Sequence, residues 1–239
     1  MLSTTNAIVL SKLKYGENDL IVKCYTEKHG VVSFLIRGVL RSTKTNKKAA
    51  YFQSLSQLQL VFNYNKTKNL HSIKEVKMHR LYANLHTHVL KSTVVLFLAE
   101  ILNACLKEEE ENHGLYLFLE NSLLWFDTME NAVNFHLLFL LKLTKYLGFY
   151  PDTKHNTLSF FNLEEGCFQM ENQTKYCILG ENLVLFKALL GTTFDALYLM
   201  KLNTLQRRSL LNIVLLYYEL HLSGFKPPKS LPVLNQVFN

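Results

Sequence analysis

The sequence has no apolar run long enough to cross a membrane. Stretches such as Val94 to Ala99 stop after six residues, here at Glu100, whereas a spanning helix needs about 20. The start, Met1-Leu2-Ser3-Thr4-Thr5-Asn6, lacks the basic residues and apolar stretch of a secretory signal, so the expected location is cytoplasmic. Cysteine is scarce: Cys24, Cys105, Cys167 and Cys177 are scattered and form no CxxC pair. That spacing argues against a compact metal or redox motif, and the four are expected to be reduced, buried thiols packing as small hydrophobes. Also missing are the glycine-rich phosphate loop GxxxxGK with Ser or Thr, GxGxxG, GxSxG and HExxH. Nucleotide hydrolysis and the common hydrolase mechanisms therefore have no visible apparatus, and the expectation is a protein that is not an enzyme.

What is present is a chain of 239 residues, 49% hydrophobic, enough for one large domain or two small ones with a sizeable core. Its charge is unevenly spread. Residues 1–80 hold 14 Lys or Arg against 4 Asp or Glu, a net of +10, while residues 81–239 hold 12 against 15, a net of −3. A cationic amino-terminal module suits a polyanion, with nucleic acid the leading partner.

The hydrophobic period changes at the same place. Short segments at 5–14, 20–25, 31–37, 55–64 and 70–78 read as strands, with Leu58, Leu60, Phe62 and Tyr64 on one face and Gln57, Gln59, Val61 and Asn63 on the other. Five strands without a crossover helix suit a small antiparallel barrel of the OB type. Beyond residue 80 the period is helical. Residues 131–147 follow a potential capping box at Asp127 and Glu130 and stop at Gly148 with Pro151 beyond. Leu137 to Leu141 is apolar on every face and belongs at the centre of a core. A second helix is predicted over 204–222, with Asn203 and Gln206 placed for a cap, Leu211, Val214, Leu215, Tyr218 and Leu222 as its stripe, and Gly224 closing it. Residues 89–106 and 115–126 supply two more. The expected fold class is α+β: an OB-fold β-barrel over 1–80, then an all-helical domain over 81–239 with a small irregular insertion near 153–175, polar, turn-rich and suited to a hairpin.

Three acidic or histidine groupings are weak as chemical sites. His86 and His88, two apart on a helix, point to different sides and cannot ligate together. Glu108 to Glu111 is a run of like charges that repel and stay solvated. Glu17, Asp19 and Glu27 have the residue types of a nuclease cluster, but they fit as turn residues flanking the strand Leu20 to Tyr25.

The basic module says more. From Arg37 the chain reads Arg-Gly-Val-Leu-Arg-Ser-Thr-Lys-Thr-Asn-Lys-Lys, which places Arg37, Arg41, Lys44, Lys47 and Lys48 in one strongly positive segment. Lys12 and Lys14 are two apart on the first strand and share a face, and Lys66 and Lys68 occupy the turn before the fifth. Tyr15, Tyr51, Phe52 and Tyr64 are interleaved with these charges, either as stacking platforms for unpaired bases or as filling for the barrel.

Several of these segments resemble the RecO family of recombination mediators. They are Ala7-Ile8-Val9-Leu10, Tyr15-Gly16-Glu17-Asn18-Asp19-Leu20-Ile21, Tyr25-Thr26-Glu27-Lys28-His29-Gly30, and Arg37-Gly38 before a basic loop. The carboxy-terminal half agrees through Leu141-Lys142-Leu143-Thr144-Lys145-Tyr146-Leu147-Gly148-Phe149-Tyr150-Pro151, Tyr217 to Leu222, Gly224-Phe225 and Lys229-Ser230-Leu231. The resemblance implies a non-enzymatic protein that binds single- and double-stranded DNA and anneals complementary strands. It also implies work with RecR, and in many bacteria RecF, to load RecA onto DNA covered by single-strand-binding protein. A pocket for the acidic, apolar tail of that last protein is implied in the helical domain, with Lys142 and Lys145 as candidates for its carboxylates. Many relatives carry two CxxC pairs after the Gly-Phe-Tyr-Pro segment; here only Cys167 and Cys177 remain, which argues against a structural zinc. The competing reading is a nucleic-acid scaffold, such as an RNA- or ribosome-associated factor, which would bind without annealing.

Overall fold

The computed structural model describes residues 1–40, 48–107, 110–130 and 132–238. It divides into two compact units. The first is Met1–Thr128 with Pro228–Ser230, the second Met129–Pro227 with Leu231–Asn239. The change from strand to helix falls at Arg80, as the change of period requires, yet two helices beyond it cluster with the strands.

The first unit is built around β1 (Leu2–Tyr15), β2 (Asp19–Thr26), β3 (Gly30–Ile36), β4 (Gln57–Asn63) and β5 (Ile73–Arg80), antiparallel in the order β3-β2-β1-β4-β5. A parallel bridge between Phe34 and His71 brings the two edges together, and this closure completes the OB-type barrel. β1 pairs with β4 over Leu2 to Ile8 and with β2 over Ala7 to Tyr15, with a bulge between Val9 and Ser11. Alternation along β4 sends Leu58, Leu60 and Phe62 into the core beside Val9, Val22 and Phe34. Gln59 and Asn63 stay exposed. Gln57 breaks the expected alternation because its Nε2 donates to the Glu120 carbonyl at 3.1 Å, which accounts for its burial.

Two helices complete this unit, α1 (Val89–Cys105) and α2 (His113–Thr128). Asp127 corrects the capping expectation: it lies inside α2, and α3 (Phe135–Tyr146) begins instead after Asn134, whose side chain makes no cap bond. The nearly buried Asp127 carboxylate accepts the backbone N–H groups of Ala83, Asn84 and Leu85, each at 2.8 Å. Lys91 Nζ donates to the Asp127 carbonyl at 2.7 Å. One acidic side chain thus satisfies the backbone donors of the turn leading into α1.

The second unit contains α3, α4 (Gly180–Leu190), α5 (Thr204–His221) and α6 (Leu231–Val237). Phe135 to Leu141 is buried without a break, the central position expected of a helix apolar on all sides. α3 ends as predicted: Gly148 has φ +86°, and Phe149 N–H returns to the Thr144 carbonyl at 3.1 Å, the six-to-one bond of a Schellman stop. At the start of α5 both arms of the Asn203–Gln206 capping box are formed. The insertion holds the hairpin β6 (Phe160–Asn162) and β7 (Cys167–Gln169), joined by β8 (Cys177–Ile178) on the other edge of β6. Gly166 turns the hairpin at φ +67°, and a Cβ there would lie 2.7 Å from the Tyr217 hydroxyl.

All four cysteines are free, and only Cys24 is fully buried; the other three are partly exposed, contrary to expectation. Burial pushes the Cys105 thiol up to about 12, with Lys107 opposing that shift. Cys167 and Cys177 pair in register with the same residue, Asn162, from opposite edges of β6. Two strand spacings separate them, about 10 Å, beyond the roughly 7 Å reach of a disulfide. Two cysteines held that far apart on opposite edges of β6 do not converge as a tetrahedral zinc site requires.

Two outcomes are expected. Asp127→Ala, which strands several backbone donors, should lower unfolding free energy by about 3 kcal/mol, with Asp127→Asn milder; urea denaturation reads this as a lower midpoint at constant slope. Purified protein should remain folded after chelation and carry no stoichiometric zinc. One tightly held zinc per chain by elemental analysis, with unfolding on its removal, would contradict that expectation.

Candidate nucleic-acid interface

The barrel closes where the segment after β4 returns across β3. His71 N–H donates to the Ser33 carbonyl at 2.9 Å, and Leu35 N–H donates to the His71 carbonyl at 2.8 Å. β3 then runs out into Arg37, while β5 begins at Ile73 with a register shift opposite Val61 and Phe62. Between them opens a groove of about 740 Å³ lined by Leu35, Ile36, Arg37, Tyr51, Phe52 and residues 72–77.

Arg37, Lys74 and Lys77 bring three cations to this groove against one carboxylate, Glu75. All three cations are exposed. The close pairs of a basic group with a carboxylate among the described residues are His79–Glu120 at 2.7 Å and His113–Glu27 at 3.3 Å. None of Lys12, Lys14, Arg37, Lys66, Lys68, Lys74 or Lys77 is so paired. A phosphate arriving at these groups displaces counterions and breaks no internal ion pair.

The other predicted site residues divide. Arg41, Lys44 and Lys47 lie outside the described residues, and Lys48 opens the short 3-10 turn Lys48–Phe52. Lys12 and Lys14 stand on one face of β1, opposite Val22 and Leu20, but line no part of the groove. Lys66 and Lys68 are exposed in the β4–β5 connection. Lys74 and Lys77 were not singled out by sequence reasoning. Three apart, they belong to opposite faces of a regular strand, and the bulge that takes Lys74 out of the alternation is set by pairing with β4.

The aromatics also separate. Phe52 is core. Tyr64 stacks on His29, centroids 3.9 Å apart, and lies parallel to His71 at 5.6 Å, so its ring is engaged within the barrel. Tyr51 is partly exposed on the groove wall, and Tyr15 is exposed beyond the barrel. Of these four aromatics, Tyr51 is the one that lines the groove with part of its surface exposed, while the rest of it packs against the core.

Three members of the acidic and histidine groupings have structural partners. Asp19 Oδ1 accepts Gly38 N–H at 2.7 Å, and Glu27 accepts from Asn6 Nδ2 at 3.0 Å. His86 and His88 were expected on a helix; they lie instead in the turn before α1, where His86 Nε2 meets the Ser54 carbonyl at 2.9 Å and His88 is the N-cap. Of the run Glu108 to Glu111, only Glu110 and Glu111 are described, and both are exposed.

In the second unit, Lys142 is partly buried, its Nζ 3.5 Å from the Tyr150 hydroxyl and 5.7 Å from that ring's centre, while Lys145 is exposed in the last turn of α3. Three positions apart, they share a helix face. A separate depression of about 690 Å³ in this unit combines Val133, Leu197, Tyr198 and Met200 with Lys201 and Arg207. Arg207 is held there by Asn134 Oδ1 and the Leu202 carbonyl, both at 3.0 Å.

Comparison with known proteins covers the whole chain. Residues 1–82 match Recombination protein O N terminal and residues 86–232 match Recombination protein O C terminal; the junction follows the end of β5. The DNA repair protein RecO of Christiangramia forsetii is 48% identical over 238 residues, 100% of each chain. That of Flavobacterium psychrophilum is 42% identical over 235 residues, 98% of each, and that of Phocaeicola vulgatus 36% over 242 residues, 100% of each. With both halves matched in order and an OB-type barrel leading a helical unit, the chain belongs to the RecO family of DNA repair proteins.

Proposed function

We propose that this protein acts in homologous recombination as a mediator that binds single- and double-stranded DNA and anneals complementary strands. With RecR, and with RecF where it takes part, it helps to load RecA onto strands covered by single-strand-binding protein. The observation that carries the reading is the set of exposed cations, without carboxylate partners among the described residues, around the β3–β5 groove from which the basic segment leaves at Arg37. Annealing breaks no covalent bond. A cationic surface that holds two strands reduces their mutual repulsion and raises their local concentration, while base pairing drives the product. The protein needs no catalytic residue, and the cytoplasm gives it access to chromosomal DNA.

The purified chain should anneal complementary oligonucleotides coated with single-strand-binding protein without ATP. RNA binding with no annealing would favour the scaffold reading. Replacing Arg41, Lys44, Lys47 and Lys48 by Ala together should weaken binding to DNA of any sequence and flatten the log-log salt slope by roughly 3, at about 0.7 per phosphate contact on single strands. The triple variant Arg37→Ala, Lys74→Ala, Lys77→Ala should flatten it by roughly 2 on the same basis. Parental affinity and slope in both variants would move the DNA to Lys12, Lys14, Lys66 and Lys68.

The helical unit is proposed to receive the acidic tail of single-strand-binding protein, with Lys142 and Lys145 facing its carboxylates. A tail peptide should bind the Lys142→Ala, Lys145→Ala double variant more weakly in fluorescence titration. Unchanged affinity would remove both residues from the site and direct attention to the depression at Lys201 and Arg207.

A further inference from the structure

We infer that the single strand held in the β3–β5 groove continues past His71 into a second depression, where Lys68 and Lys107 bind its phosphates. This inference rests on the DNA-binding reading above and adds to it a second segment of path, including a contribution from residues at the end of α1.

The second depression, of about 240 Å³, is lined by Lys23, Val31, Val32, Ser33, Tyr64, Asn65, Lys68, Asn69, His71 and Lys107. Among the described residues its wall carries three ammonium groups and no carboxylate. Lys23 and Lys107 are close enough for Lys23 to feel the second charge: burial first, and then Lys107, lowers its pKa. An anion between them relieves that repulsion. Lys23 is already committed, because its Nζ donates to the Asn103 and Leu106 carbonyls at the end of α1, both at 3.4 Å. Lys68 and Lys107 are exposed and have no carboxylate partner among the described residues.

Continuity comes from the seam. One depression is bordered by Val31 to Ser33 and the other by Leu35 to Arg37 on the same strand. His71, hydrogen-bonded to both Ser33 and Leu35, marks the divide. From Val31 to Arg37 the strand rises roughly 20 Å at about 3.3 Å per residue, room for several backbone phosphates in line. The turn that carries Lys68 is held before DNA arrives: Lys68 N–H donates to the Asn65 carbonyl at 3.1 Å, and Thr67 N–H and Oγ1 both donate to Asn65 Oδ1. The His71 ring in turn lies against Tyr64, and its Nε2 is within 3.1 Å of the Asn65 carbonyl. A phosphate contact built on this turn costs little additional ordering.

The test uses the full chain and an oligo(dT) long enough to cover both depressions. The Lys68→Ala, Lys107→Ala variant should keep the parent's thermal midpoint and flatten the log-log salt slope by about 1.4, two contacts at about 0.7 each. The Lys68→Arg, Lys107→Arg variant should restore the slope. In the parent, bound oligo(dT) should protect Lys68 and Lys107 from acetylation, as read by mass spectrometry, along with Lys74 and Lys77; Lys154, which lines neither depression, should react as in the free protein. Protection confined to Lys74 and Lys77, with an unchanged slope in the alanine variant, overturns the extension and leaves the DNA-binding reading standing. A parent with no salt-dependent affinity for oligo(dT) fails that reading itself.

Discussion

One strand has to serve two partners, and the architecture of the first unit follows from how it does so. β1 spends its first half paired with β4 and its second half with β2. A regular fourteen-residue ribbon keeps a single face inward throughout. The bulge between Val9 and Ser11 adds a residue and extra twist at the handover, so that Ala7 and Val9 fill the barrel while Ile8 and Leu10 are buried as well. Once β1 is shared, β3 and β5 become the two free edges of the sheet. Among the described residues the bridge from Phe34 to His71, in the segment just before β5, ties these edges together. Both cationic depressions lie along this seam.

The division between holding the fold and serving the ligand is also a division of residue types. The barrel core is made of twelve buried residues without a charged member among them, and polar ties elsewhere in the unit rely on His79, Glu120, Asp127, Lys91 and Lys23. The groove cations take no part in those ties. Exposed side chains of this kind contribute little to folding stability, which leaves them available for phosphate. A rigid scaffold carrying uncommitted charges is suited to binding DNA without regard to sequence, since phosphate contacts orient a strand and do not read its bases.

Much of the architecture was legible because its causes are local. Alternation in Leu58, Leu60 and Phe62 marks a half-buried strand wherever the partner comes from. Leu137 to Leu141 can only be central. The Asn203–Gln206 box closes within one helical turn, and Gly148 stops α3 through a bond five residues long. Asp127 and Glu130 have the spacing of the same box, yet the carboxylate turns to amides more than forty residues away. α4 was missed for the opposite reason: it begins at a glycine and buries only Leu183, Phe186 and Leu189, too weak a stripe to stand out.

By itself, then, the sequence determined most of the element types, the order of the two halves and the side of the chain that carries positive charge, because periodicity, local caps and charge density are properties of neighbours along the chain. Tertiary structure alone decided that Arg37 joins Lys74 and Lys77, that Lys68 and Lys107 line one depression, and that Tyr64 stacks with His29 and His71. Those groupings depend on strand register, on one bulge opposite Val61 and on a single crossing at His71. A shift of one residue in any of them sends the same side chains to the other face of the sheet.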